Sequence, residues 1–279
     1  MNAIGWLFLS SIYYRILFFT PLAFLFSPTL SDLKKNNACE HAPRLTITYT
    51  GNMGIFVSSS EASILIDGLH EYYGPGYLNP PGSEISKILH QGTPYTGLAN
   101  VLFTHYHRDH YSAHLSKGFL QSSEKNRVIG APQVIDSLPV SQTVNAWNKN
   151  ALLFTDTAQR LSVFGFDIPH TWPQRHSKVQ NVAYLIDLDQ LTILHIGDAD
   201  TDTSAFSRLK LGRVDAMIVP IWFLMNKEGI RIIREIIKPG RVIATHISPV
   251  DSRGIEKYRL PGIETHFFTV MKQAVIISG

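Results

Sequence analysis

Asn100-Val101-Leu102-Phe103-Thr104-His105-Tyr106-His107-Arg108-Asp109-His110 is the stretch on which the reading of this chain turns. Its first half is a continuous apolar run, the pattern of a strand buried on both faces. Its second half places three histidines and an aspartate within six residues, directly after that strand. In an extended segment residues i and i+2 point the same way, so His105 and His107 can share one ion. Asp109 and His110 follow where the chain turns toward the next helical segment, His114 to Leu120, and can face a second position beside the first. Asp109 also reads as an ordinary helix cap, but capping explains one residue of the four.

The composition allows such a centre and excludes other classes. The chain has 279 residues, 44% hydrophobic and 17% charged, enough apolar material for a sizeable core and too little charge for a disordered chain. A formal charge of +3 gives no basic surface for nucleic acid. Cys39 is the only cysteine beside twelve histidines, so a disulfide framework and cysteine-rich zinc modules are excluded, and any metal falls to imidazole and carboxylate.

Around the cluster, strands are expected at 44–49, 55–57, 63–67, 127–129, 182–186, 191–194, 216–219 and 242–245. Helices are expected at 83–89, 132–137, 203–209 and 228–237, the last closed by Lys238-Pro239-Gly240. Residues 69–82, rich in glycine and proline, read as an irregular loop, and 139–175 as a second loop region. Strand runs followed by alternating strands and helices point to sheets flanked by helices, within one domain spanning 40–279. Residues 1–31 stand apart. The apolar run Ile16–Phe26, followed by Thr29-Leu30-Ser31, reads as a signal peptide, or else as an uncleaved membrane anchor. Export to the periplasm or the exterior is the expectation, with membrane contact only through that segment. The oligomeric state is open.

His-x-His-x-Asp-His after an apolar strand resembles the signature of the metallo-β-lactamase-fold metallohydrolases, and the remainder of the chain offers partners in the same order. Asp67, closing Ile64-Leu65-Ile66-Asp67-Gly68, is similar to the family's early buried aspartate. Asp198, after Gly197, matches the carboxylate that bridges two metals, and His246, in Ala244-Thr245-His246-Ile247, matches the last histidine. For the third histidine His170 competes with His176; the run His176-x4-Asn181-x-x-Tyr184 looks like the lactonase-like branch and favours His176. The resemblance, over about residues 44–270, implies an α+β fold, a four-layer αββα sandwich of two mixed sheets. It implies one ion on His105, His107 and His176, the other on Asp109, His110 and His246, with Asp198 bridging. Asp67 and Thr104 would fix the histidine tautomers, and His114 could lie behind the ligands. Histidines 41, 70, 90, 195 and 266 match nothing.

The implied activity is a dinuclear metal-dependent hydrolase of a small molecule. A metal-bridging hydroxide would cleave an ester, lactone or phosphodiester, with Asp109 handling the proton. Zinc is the expected metal, and manganese or iron suits the same ligands. Asp198 stands where β-lactamases carry cysteine or serine, which argues against an exported β-lactamase. His107 argues against the flavoprotein di-iron branch. A metal-binding or scaffolding protein without turnover is the alternative of another class. Tyr72, Tyr73, Tyr77, Trp147 and Trp172 are candidates for lining the substrate cleft.

Overall fold

The structure, a computed structural model, describes residues 42–279; the segment read as a signal peptide or anchor lies outside the described residues. Its first strands are β1 (Arg44–Gly51), β2 (Gly54–Ser58), β3 (Ser63–Ile66), β4 (Asn100–Leu102), β5 (Arg127–Gly130) and β6 (Thr143–Asn145). There follow β7 (Ala151–Asp156), β8 (Leu161–Asp167), β9 (Val182–Leu188), β10 (Leu191–His195), β11 (Ala216–Pro220), β12 (Arg241–Thr245) and β13 (Glu264–Phe267). The last strand, β14 (Ala274–Ser278), returns to the beginning. They form two seven-stranded sheets, β14-β1-β2-β3-β4-β5-β6 and β13-β12-β11-β10-β9-β8-β7. Both are mixed: the first turns parallel from β3 to β6, the second from β10 to β13.

Alternation along the strands separates the layers. Leu45, Ile47 and Tyr49 of β1 point to one face and pack with Val163, Ile186, Ile193 and Ile218 of the second sheet in a core between the sheets. The opposite face of the first sheet, with Phe56, Leu65 and Val101, is covered by the helices Gly82–Leu89 and Ala113–Ser122. Leu194, Met217 and Val219 of the second sheet face Phe206, Phe223 and Ile233 of the chain's later helices. The result is the αββα sandwich. Because the central strands are covered on both faces, they read as continuous apolar runs rather than alternating ones. Each fully buried Ile or Leu contributes about 1.5–3 kcal/mol, which holds the registers in place.

Five strands lie where the sequence suggests loops or nothing. The region 139–175 holds β6, β7 and β8 before a short loop at 168–172. In β8, Leu161 and Val163 are buried and Ser162 and Phe164 half-buried. Gly165 continues the alternation without a side chain; a Cβ there would lie 3.0 Å from the Leu153 side chain and 3.3 Å from the Ala146 carbonyl. The strands β13 and β14 were likewise unmarked, although Val275 and Ile277 of β14 pair with β1 and enter the core. The helix expected at 228–237 is an α-helix over Lys227–Arg231 that widens to a π-helix over Ile232–Ile237 and closes at Lys238, whose φ is 54°. Among the described residues no helix is long and apolar enough to cross a membrane.

Candidate metal centre

At one end of the sandwich the carboxyl ends of β3, β4, β8, β10 and β12 release Asp67, His105–His110, His170, Asp198 and His246. Loops at this end carry polar groups that the strands could not hold in their apolar register. Three groups of ligand atoms, each mutually within 4.8 Å, result: His105, His107 and His170; His105, His110 and Asp198; Asp109, His110 and His246.

Each imidazole is oriented from behind. The Asp67 carboxylate accepts the Thr104 backbone N–H at 2.8 Å and the Thr104 hydroxyl at 2.6 Å, and lies 2.9 Å from His110 Nδ1. The Thr104 hydroxyl, having donated its proton, is left to accept from His105 Nδ1 at 3.1 Å. His170 Nδ1 lies 2.8 Å from the Thr171 carbonyl, which can only accept. All three rings therefore carry the proton on Nδ1 and turn Nε2 to the centre, the arrangement in which outer partners set a metal ligand's tautomer. His105 Nε2 lies 3.0 Å from His107 Nδ1.

Asp198 sits between the groups. Its Oδ1 is 3.4 Å from His110 Nε2, and its Oδ2 is 3.5 Å from His246 Nε2 and 3.8 Å from His170 Nε2. Asp109 Oδ2 is 3.5 Å from His110 Nε2 and 3.4 Å from His246 Nε2. These spacings are long for hydrogen bonds but match the roughly 3.4 Å between tetrahedral ligands that each lie about 2.1 Å from an ion. Among the described residues, the buried atoms His110 Nε2, His170 Nε2 and Asp198 Oδ1 have no hydrogen-bond partner. Buried orphans are costly, and three gathered around Asp198 fit groups that would bind there. The donor set suits divalent cations of the zinc type.

The electrostatics follow from the crowding. Burial disfavours the charged imidazoles of His105 and His107; with nearby rings adding to it, His105 falls well below the usual range and His107 to about 4. Burial opposes the His246 charge as well, yet Asp198 and Asp109 raise it to about 9, and the same carboxylates raise His110 well above its ordinary value. Against its own burial, Asp109 is held down to about 2 by His110 and His246, and Asp198 is held well below the carboxylate range.

Strained backbone delivers two of these side chains. Asp67 and His246 adopt φ of 49° and 55°, a left-handed region that costs non-glycine residues of order 1–3 kcal/mol and is concentrated at functional sites. Gly197 supplies the turn before Asp198 with φ 56°. A Cβ there would lie 2.6 Å from both Asn181 Oδ1 and Thr104 Cβ, so only glycine lets the Asp198 loop approach the His105 strand end.

At the third histidine the grouping of ligand atoms differs from the sequence-based preference. His170, not His176, joins His105 and His107. The Thr171 N–H donates to the Asp198 carbonyl at 2.8 Å, and His170 bridges to Ala199, which pins His170 against the Asp198 loop. The chain then turns through Trp172 at φ 53° into the short helix Pro173–His176. There the His176 ring stacks on the His170 ring at 4.6 Å, outside all three ligand groups. His114 is exposed and does not stand behind the ligands. His195 is buried as a structural group, its Nε2 3.0 Å from the Met53 carbonyl. Of the aromatics, Tyr73, Tyr77 and Trp172 line the cleft over the centre; Tyr72 is exposed elsewhere and Trp147 packs on the core between the sheets.

One residue of the centre was not singled out in the sequence. Asn52, in the turn Gly51-Asn52-Met53-Gly54, is buried at φ 47°. Its Nδ2 donates to Asp109 Oδ2 and to the Asp109 carbonyl, both at 3.0 Å. Its own carbonyl accepts the His246 N–H and the Tyr49 hydroxyl, both at 2.9 Å. Asparagine tolerates positive φ in turns, a signal too common to single it out. Asn52→Ala is expected to weaken binding of an ion at Asp109 and His246 by about 10–100-fold. Competition with a chromophoric chelator checks this, with the melting temperature of the metal-free protein as the control for folding.

Comparison with known proteins agrees with the fold. A family model described as a beta-lactamase superfamily domain matches residues 46–246. No curated protein sequence matches the chain. Among solved structures, Igni18, a metallo hydrolase from the archaeon Ignicoccus hospitalis, is 16% identical with a TM-score of 0.61, over 84% of this chain and 98% of its own. The isothiocyanate hydrolase from Delia radicum gut bacteria is 13% identical with a TM-score of 0.56, over 85% of this chain and 100% of its own. CmlA, a diiron β-hydroxylase from Streptomyces venezuelae, is 13% identical with a TM-score of 0.55, over 87% of this chain and 55% of its own. With the family match running from β1 to His246 and the two-sheet sandwich in agreement, the chain belongs to the beta-lactamase superfamily and has the metallo-β-lactamase fold.

Proposed function

We propose that the protein is a hydrolase with two divalent ions, zinc being the expected metal, that cleaves an ester, lactone or phosphodiester bond of a small molecule. The observation that carries this reading is the set of buried, partnerless ligand atoms converging around Asp198. His105, His107 and His170 would hold one ion, Asp109, His110 and His246 the other, and the two oxygens of Asp198 would reach both. Ions so placed would supply Lewis acidity, making water a stronger acid and polarising the acceptor oxygen of the substrate.

The chain's own groups do the rest. Asp67, Thr104 and the Thr171 carbonyl keep Nδ1 protonated on His110, His105 and His170, so that Nε2 stays available. Asn52 ties down Asp109 Oδ2. Asp109 lines the cleft, and its Oδ1 makes no hydrogen bond within the described residues. It is placed to take the proton water gives up and to return it to the leaving group. The cleft, about 520 Å³, accommodates a small molecule. Hydrolysis adds water across the scissile bond and needs no other co-reactant.

The experiment is metal analysis combined with a panel of a phosphodiester, a lactone, a thioester and a β-lactam, assayed with the metal-replete protein. Cleavage of an ester-type or phosphodiester member, lost on chelation, supports the reading. Two bound ions without turnover of any member would favour the metal-binding alternative instead. Preferred cleavage of lactones would support the lactonase-like branch.

Metal uptake is expected to release protons. In the metal-free protein the carboxylates hold His246 protonated to about pH 9, and His110 also well above the ordinary imidazole value. Ions compete with those protons, so metal affinity rises from neutral pH toward about 9 and levels off beyond. Calorimetric titration of zinc at pH 7 in buffers of different ionisation enthalpy measures the release; buffer-independent heats would contradict the assignment of His110 and His246. Export through residues 1–31 belongs to the same reading, and fractionation of expressing cells tests it.

A further inference from the structure

The two ends of the centre are lined by different chemistry. At the His246 end the walls are aromatic: the Tyr77 and Trp222 rings approach the His246 ring edge-on at 5.7 and 5.1 Å, and Tyr73 packs against Tyr77 at 4.8 Å. Trp222 is fixed by its indole N–H, which donates to the Ala199 carbonyl at 3.1 Å. At the His170 end the wall is the short helix Pro173–His176, swung over the cleft by the left-handed turn at Trp172. It carries Arg175, next in the chain to the His176 ring that stacks on His170.

Arg175 lines the cleft, and its guanidinium has neither an ion pair nor a hydrogen bond among the described residues. Among the described residues none of the cleft's carboxylates pairs with Arg175. Asp109 and Asp198 face the proposed ions, and Asp200 accepts the Thr201 N–H at 2.8 Å. An exposed arginine lining a cleft without a carboxylate partner presents a fork of donors suited to an oxyanion.

We propose, building on the hydrolase reading above, that the substrate is an anion with an apolar body. Arg175 binds a carboxylate or phosphate of the substrate, remote from the scissile bond, at the His170 end. Tyr73, Tyr77 and Trp222 pack the apolar portion at the His246 end. The scissile group then lies between them, over Asp198. A charge-assisted contact of this kind is worth about 10-fold or more in selectivity.

The mono-4-nitrophenyl ester of adipic acid and its methyl diester differ only in a remote carboxylate, and they test this directly. The zinc-loaded protein is expected to prefer the anionic ester in kcat/KM by about 10-fold. Arg175→Ala is expected to erase that preference with two zinc ions still bound per chain, and Arg175→Lys to retain part of it. If the preference is absent, or survives in Arg175→Ala, the anion assignment is overturned while the hydrolase stands. If the zinc-loaded protein cleaves neither ester nor any member of the wider panel, the hydrolase reading fails and this one with it. Binding of 4-nitrobenzoate against 4-nitrobenzamide, read by tryptophan fluorescence, repeats the comparison without turnover. The acid is expected to bind about 10-fold tighter, and persistence of that difference in Arg175→Ala overturns the proposal.

Discussion

Asp198→Ala is expected to lower kcat by at least about 10³-fold, near 4 kcal/mol of transition-state stabilisation, and to leave at most one tightly held ion per chain. The reason is position. Asp198 is the carboxylate whose two oxygens face His110 on one side and His170 and His246 on the other. Removing it leaves His110 and His246 sharing only Asp109, so their retained protons are lost more readily, but neither imidazole gains a second carboxylate for an ion. The fold should survive, since the turn is held by Gly197 and by backbone bonds from Thr171 and Asp200 rather than by the Asp198 side chain. Activity assays with inductively coupled plasma measurement of bound metal check both parts. The rise in melting temperature on adding zinc should shrink in the variant, because only binding to the folded state stabilises. An Asp198→Ala protein with two ions and the parent rate would contradict the bridging role.

His170→Ala and His176→Ala form the second large effect, and they separate two histidines that sequence alone leaves in competition. The first substitution removes a buried Nε2 from the group with His105 and His107. Affinity for that ion is expected to fall by at least about 10²-fold, beyond the range typical of outer partners. The second removes a ring that stacks on His170 from the cleft side, and two ions should remain bound. Equilibrium dialysis against buffered zinc gives both numbers. If His176→Ala lost the ion and His170→Ala kept it, the assignment drawn from the geometry would be reversed.

The legible part of this centre was the part in which donors are dense. Four donors in six residues after an apolar strand leave few structural explanations. Asp198 was marked by the glycine before it, which the structure explains through the close approach to Thr104 and Asn181. His170 was not legible, because an isolated histidine in a segment without clear periodicity carries no direction. Its orientation depends on a hydrogen bond and a bridge to the Asp198 loop, contacts some thirty residues away in sequence. Asn52 was hidden for a similar reason: a turn asparagine is ordinary until Asp109 is found against it. The core strands were readable because both their faces are covered. The edge strands β7 and β14 were not, since β7 has only exposed and half-buried positions and only two residues of β14 enter the core. The helices showed their apolar stretch but not the π-helical widening at Ile232, which depends on packing.

Anomalous diffraction at the zinc edge from crystals of the zinc-loaded protein tests the central claim most directly. The account predicts two peaks in each chain, one bonded to His105, His107 and His170, the other to Asp109, His110 and His246, with Asp198 reaching both. A single peak, or a first ion bonded to His176 with His170 turned away, would contradict it.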